Sequence, residues 1–397
     1  MAACTKRLIL QSDWDQVLRE INGKAWVSVK KTGCPSVYGE LKVQELSSDG
    51  QPYVLGSENF SIGEITRKTI TVSYTEDEVT SLVCKFQAPR LTFSTIHKAK
   101  KSVACLDVTP GGLAVSCDTD GKLILWETEN GEIRRDLKGH LGDVYSCRFF
   151  PSGMVVLSGS ADTQLKIWSA ETGQCAATCK GHAAGINDTA IVEKGRNFVS
   201  CSRDGTAKLW DSGSQACLGT FDECGGVVNG CSIGIPARGF DPGESQQPTD
   251  EREVATEGKL LLLACESGVL QGRGLQSRTK VFEARCSDAV NCCTFLNENE
   301  AMCGTQDGQI YVWDIRNTSE PLVHRAETRS AILSLLPIHH GVLVGTGDGS
   351  CVCFNNNYDP SLELTGPDCD PVYKVVSDGS YLYTACRDSF VRKYTIL

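Results

Sequence analysis

Short apolar runs divided by turns rich in glycine and aspartate cover nearly the whole chain. Runs of this kind, about four to eight residues between turn formers, read as strands. YSCRFF, VSCSRD, LLLLAC, VNCCTFL and SCVCF are examples. One segment departs from the pattern. In 12–21, Trp14, Val17, Leu18 and Ile21 stand at i, i+3, i+4 and i+7, a single apolar helical face with Ser12 as its N-cap. Strand-like runs follow at 25–29, 38–43 and 69–74. A small α+β domain over 1–85 fits this arrangement, with the Trp and Leu stripe as core. No recognisable chemistry lies in it.

From residue 97 onward the pattern becomes periodic. His140 and His182, Asp162 and Asp204, and Trp168 and Trp210 are each 42 residues apart. A fixed period near this length, with Gly-His at one end and Trp or Trp-Asp at the other, resembles the WD-repeat family, whose repeat is a four-stranded propeller blade. The resemblance implies a buried polar set in each blade: His140, Ser158, Asp162 and Trp168, then His182, Ser200, Asp204 and Trp210. A buried imidazole and a buried indole N–H both need partners. These histidines are therefore read as structural, with no catalytic or metal-binding role.

The turn aspartate precedes the blade's terminal aromatic by six residues in Asp120/Trp126, Asp162/Trp168, Asp204/Trp210, Asp307/Trp313, Asp348/Phe354 and Asp388/Tyr394. LLLLACESGVLQGRGL fills the long interval between Trp210 and Trp313, with Arg273 in place of the tryptophan. The fold class expected is all-β: a seven-bladed WD-repeat β-propeller over 86–397, preceded by the small α+β N-terminal domain. The last repeat stops at its third strand, so 86–96 is expected to close the ring on 390–396, since an open blade would leave an unpaired edge. Arg285, Ala326 and Gly366 occupy the histidine register of later repeats, whose polar ties must be weaker or different. The insertion at 236–258 is rich in Pro, Gly, Gln and charge and poor in apolar residues, so it is expected to be disordered and to tolerate deletion of 238–256.

Charge and cysteine narrow the classes of function. The net charge is −10 over 397 residues: 11 acidic and 11 basic residues lie in 1–96, and 38 acidic against 28 basic in 97–397. An acidic surface disfavours phosphate backbones and favours a basic protein partner; no nucleic acid or membrane partner is expected. The 21 cysteines form no C-x-x-C and sit mostly in strand-like runs, so they read as buried thiols of a reducing compartment. Cys292–Cys293 and the Cys351/Cys353 pair lack a third ligand for a metal. The N-terminus MAACTKRLILQSDW has too short an apolar run for a secretory signal. There is no phosphate loop, H-E-x-x-H or G-x-S-x-G. No enzyme, cofactor or metal is expected.

More specific strings are FFPSGMVVLSGSADTQLKIWSAE (149–171), GRNFVSCSRDGTAKLWD (195–211), SDAVNCCTFL (287–296), GTQDGQIYVWD (304–314) and LTGPDCDPVYKV (364–375). They resemble the WD-repeat family of proteasome regulatory-particle assembly chaperones, over nearly the whole chain. That resemblance implies a partner, an ATPase subunit of the regulatory particle. The chaperone would hold its C-terminal domain and delay docking onto the proteolytic core. It also implies a cytoplasmic, or also nuclear, monomer. Trp313-Asp314-Ile315-Arg316 offers an alternative, since W-D-x-R resembles the box by which WD-repeat receptors engage a cullin-based ubiquitin ligase. A generic interaction scaffold is the remaining alternative. The partner is expected on the face shared by the loops that enter each first strand and the turns between second and third strands. Its candidates are Asp118, Asp143, Asp288, Glu327 and Asp370, with Arg203, Arg329 and Arg387 among them.

Overall fold

The computed structural model describes residues 6–31, 34–76, 81–243, 250–326 and 330–396. Strand makes up most of it, and the helix Trp14–Val17 has four residues. From residue 103 the strands form successive four-stranded antiparallel sheets spanning 103–136, 144–180, 186–221, 228–285 and 290–326. The 332–364 and 372–395 sheets complete the series. The innermost strand of each packs on the next, and Val372–Ser377 packs on Val103–Val108, so the series closes into a ring.

One local device repeats at every inner strand. Its first residue, Val103, Val144, Ile186, Val228, Val290, Ile332 or Val372, is fully buried. The pairing register then slips by one residue. Such a bulge turns the extra side chain away from the ladder, and here Tyr145, Asn187, Asn229, Asn291 and Tyr373 line the axial opening. Three of them bind the next blade: the Asn187, Asn229 and Asn291 amides donate to the carbonyls of Val228, Val290 and Ile332 at 2.9, 3.0 and 3.2 Å.

The last blade supplies three strands and takes its fourth from upstream. Leu91–Phe93 lies antiparallel to Val391–Thr395, with Val391 opposite Phe93, Arg392 opposite Thr92 and Lys393 opposite Leu91. The closing strand is thus shorter than 86–96.

The N-terminal segment differs from the expected α+β unit in two ways. Its helix is one turn; Asp13, with no side-chain capping bond, holds the N-cap position. Trp14 and Leu18 are buried, and Ile21 is 69% exposed. The rest is strand: Lys6–Leu10, Lys24–Lys31, Val37–Leu46 and Pro52–Gly56 form one sheet. Phe60–Ile65, Thr69–Thr75 and Ser81–Gln87 extend the 332–364 blade, through parallel pairing of Ser81–Gln87 with Pro360–Leu364. A boundary at 85 therefore runs through a strand that covers a blade edge. The Trp14 indole N–H donates to Thr365 Oγ1 at 3.0 Å, and Arg7 bridges Glu363 at 2.6 Å and Asp348 at 3.1 Å.

The insertion also departs from expectation. Residues 236–243 and 250–258 are held by polar contacts, while 244–249 lie outside the described residues. Asn197, fully buried, donates to the Arg252 carbonyl at 3.1 Å and accepts from the Val254 N–H at 2.6 Å. Glu253 is buried against Arg278 at 2.7 Å and accepts from the Thr256 hydroxyl at 2.9 Å. Apolar content misjudged this segment because hydrogen bonds, from Asn197 of the preceding blade and Arg278 of its own, order it. Deletion of 238–256 is accordingly no longer expected to be harmless. Glu253→Ala should lower stability by about 1.5–3 kcal/mol, the range for a hydrogen bond to a charged group. Denaturant unfolding of the full chain measures this, and an unchanged midpoint would mean the segment contributes no packing.

Candidate functional site

Three blades carry a complete polar relay. In the 144–180 blade, His140 Nδ1 meets Asp162 Oδ2 at 2.9 Å, His140 Nε2 meets Ser158 Oγ at 2.7 Å, and the Trp168 indole donates to Ser158 Oγ at 2.8 Å. His182, Asp204, Ser200 and Trp210 repeat it at 2.7, 2.8 and 2.8 Å. A carboxylate only accepts, so Nδ1 carries the proton, and a neutral ring then accepts the serine hydroxyl at Nε2. Each donor is used once, and no imidazole nitrogen is left over for catalysis or metal.

The third relay, missed when the repeats were aligned on Asp120, joins His97 to Asp118 at 3.0 Å and to Ser116 at 2.7 Å, with Trp126 donating to Ser116 at 2.9 Å. The legible signal was the Ser116-to-Trp126 spacing, which equals those of Ser158 to Trp168 and Ser200 to Trp210. Asp118 is consequently fully buried, and the expectation that it belongs to the partner face is corrected.

Two blades without the histidine fill the same place differently, while in the 290–326 blade the buried Trp313 indole N–H has no hydrogen-bond partner among the described residues. Arg273 stands where the indole would be and donates to the Asp222 carbonyl at 2.6 Å. In the last blade Gly366 leaves room that the buried Arg392 fills: a Cβ on Gly366 would lie 2.7 Å from Arg392 Cδ. Arg392 pairs there with Asp388.

Above these relays, the entering loops meet the turns between second and third strands. The Asp143 carbonyl accepts from the Ala161 N–H at 2.8 Å, and the Pro371 carbonyl from the Arg387 N–H at 3.0 Å. Asp288 is exposed, and its side chain accepts from the Ala289 N–H at 2.8 Å. Asp143 and Asp370 are half-buried, and Asp370 pairs with the exposed Arg387 at 2.8 Å. Arg203 lies over the Tyr145 ring, 4.7 Å from its centre, and donates to Asn187 Oδ1 at 3.1 Å. Glu327 and Arg329 lie outside the described residues.

The face surrounds the mouth of the axial opening, a cavity of about 340 Å³. Within it Arg148 pairs with Asp188 at 3.2 Å, Asp107 accepts the Phe149 N–H at 2.7 Å, and Lys374 also lines the wall. Burial pushes Asp107 up to about 6. No group of three or more His, Cys, Asp or Glu that could hold a metal occurs among the described residues. Burial pushes the Cys292 thiol up to about 12 and raises that of Cys353, so both stay protonated at neutral pH. Arg316 turns back onto Asp314, with contacts of 2.6 and 2.8 Å.

The family described as WD domain, G-beta repeat, matches residues 131–169, 173–211 and 276–314. Proteasomal ATPase-associated factor 1 of Gallus gallus is 54% identical over 98% of both chains, and that of Homo sapiens 53% identical over 98% of both. Probable proteasomal ATPase-associated factor 1 of Dictyostelium discoideum is 36% identical, covering 98% of this chain and 95% of its own.

Two measurements test the relays. Trp168→Ala removes a fully buried side chain and the indole donor to Ser158, and should cost about 3–5 kcal/mol in denaturant unfolding. A loss near zero would mean the blade does not depend on it. The second is pH dependence. Burial outweighs the attraction of Asp162 and Asp204 and lowers His140 and His182 below the ordinary 6.5. Their native forms bind fewer protons than the unfolded chain, so stability is lost as pH falls through 6.5. Asp107 acts in the opposite sense between 3.8 and about 6, so the histidine effect is read above pH 6. Asp204 is held at about 2: burial opposes its charge, but the Thr206 hydroxyl, the Ala183 N–H and His182 outweigh it. Its contribution is lost from 3.8 downward. The melting midpoint should fall between about pH 7.5 and 6, and a flat profile there would contradict the neutral-ring relay.

Proposed function

We propose, from the premise that this chain belongs to the proteasomal ATPase-associated factor 1 family of WD-repeat proteins, that it is a non-enzymatic platform for ATPase subunits of the proteasome regulatory particle. The observation that carries the reading is 53–54% identity to named relatives across 98% of the chain, N-terminal sheet and insertion included. In our reading it holds the C-terminal domain of such a subunit and restrains its association with the proteolytic core. The propeller chemistry supports a binding role over an enzymatic one, because each relay histidine is committed to its own blade. We place the chain in the reducing cytoplasm and nucleus, in keeping with its buried thiols.

The proposed contact face is the ring of loops that carries Asp143, Asp288 and Asp370, with Arg203 and Arg387 between them. With a net charge of −10, the chain would steer a basic partner surface toward this face, and charges at its rim act mainly on the rate of association. The Asp314–Arg316 pair is a local contact and lends the ligase-receptor reading no support of its own.

Affinity purification from cytosol should recover proteasomal ATPases; recovery of cullin-ligase subunits in their place would reverse the reading. Replacing Asp143, Asp288 and Asp370 by Lys together should weaken ATPase binding by at least about tenfold, chiefly in association rate. The unfolding midpoint should stay near wild type. Wild-type binding should also weaken from low to physiological salt. A folded triple variant that captures the ATPase as wild type does would move the site to the opposite face or to the N-terminal sheet.

A further inference from the structure

A second cleft lies at the seam between the N-terminal segment and the strand that closes the ring. It encloses about 870 Å³. Three separate pieces of chain bring cations to it: Arg19 after the short helix, Arg67 and Lys68 in the turn between Phe60–Ile65 and Thr69–Thr75, and Arg90 just before Leu91–Phe93. Asp15 and Asp49 are the acids of its wall. In a chain of net charge −10, this cleft has an excess of positive charge.

Three of these four cations have no carboxylate partner among the described residues. Lys68 alone among them has a carboxylate, Asp15 at 2.7 Å. Arg19 donates to the Thr66 carbonyl at 2.5 Å, a contact that fixes the guanidinium and leaves its charge. Arg90 donates to the Tyr381 hydroxyl at 3.2 Å and lies 5.4 Å from the centre of that ring. Arg67 is exposed and makes no hydrogen bond or ion pair among the described residues. Burial and the charge of Arg67 both depress Arg19, against the pull of Asp15. Like charges gathered in this way favour an anion that would relieve them.

We propose that this cleft binds an extended acidic segment of a partner protein. The shape favours a peptide over a small phosphate. The cations stand on different walls, and the volume is far beyond that of one compact anion, for which a single water's share of about 30 Å³ sets the scale. Leu91, 39% exposed at the edge, adds an apolar contact suited to a chain with side chains of its own. An extended chain, at about 3.3–3.6 Å per residue, presents carboxylates at intervals to cations that come from three separate pieces of the wall. The site does not rest on the ATPase reading, since it occupies another part of the molecule.

Fluorescence anisotropy with a labelled octaglutamate peptide tests it on the full chain. Wild type should bind at low salt and weaken as salt rises. Arg67→Glu should weaken binding about tenfold or more, because it reverses the one unengaged cation. Arg67→Lys should retain most of it, and Lys138→Glu, a distant exposed charge reversal, should leave it unchanged. Arg67 supports no other group, so folding is not at risk, and an unchanged melting curve checks that. Equal binding by wild type and Arg67→Glu overturns the proposal. So does the finding that inorganic pyrophosphate binds more tightly than the peptide and loses its affinity in the same variant, which would make the cleft a small-phosphate site.

Discussion

The last blade supplies three strands of its own, and the need for a fourth governs how the two ends of the chain are used. An open blade presents a row of unpaired N–H and C=O groups. Residues 81–93 cover two blade edges in succession. Leu91–Phe93 completes the last blade, while Ser81–Gln87 runs alongside the blade before it. Gln87 braces the two: its side-chain amide donates to the Thr395 carbonyl at 2.8 Å, and its own carbonyl accepts from the Thr365 N–H at 2.8 Å. The N-terminal sheet is thereby bound into the ring's closure, and Trp14 and Arg7 deepen the attachment through Thr365 and Glu363.

A second requirement, that buried polar groups be satisfied, explains how unlike sequences occupy like positions. Where Trp126, Trp168 and Trp210 sit, a serine, a histidine and an aspartate form a relay from indole to carboxylate. Where the serine and tryptophan are absent, Arg273 donates to the loop carbonyls of Asp222 and Glu223, and Arg392 uses the space that Gly366 vacates. The functional consequence is a separation of roles. Tying the blades internally uses His97, His140 and His182 and many of the polar side chains, so those groups are not free to meet a partner.

Two surfaces of opposite character result. The loop face around the axial opening carries Asp143, Asp288 and Asp370, partly tempered by Arg203 and Arg387. The seam beneath the N-terminal sheet gathers Arg19, Arg67 and Arg90. The first depends on how the repeats are aligned about the ring, the second on where the non-repeating segment docks. Neither arrangement is local in sequence.

The sequence by itself determined the repeating blade and two of its relays, because strand alternation, the Asp-turn and the His-to-Trp spacing are short-range regularities that each blade must satisfy within some 40 residues. Spacing also reached the place of the closing strand, since an incomplete last repeat demands a partner for its edge. Tertiary structure decided what depended on contacts between distant segments. Asp118 looked like a surface acid because the turn at Asp120 matched the other repeats, yet His97, from the preceding loop, draws it inward. Residues 250–258 looked too polar to order, yet Asn197 on a strand of the preceding blade and Arg278 in a turn of their own blade supply their partners. The first 85 residues looked like a separate unit, since no periodicity links them to the ring. Their last strand nevertheless belongs to a blade, because an exposed blade edge is satisfied by whichever segment of the chain can reach it, and sequence order does not say which one that is.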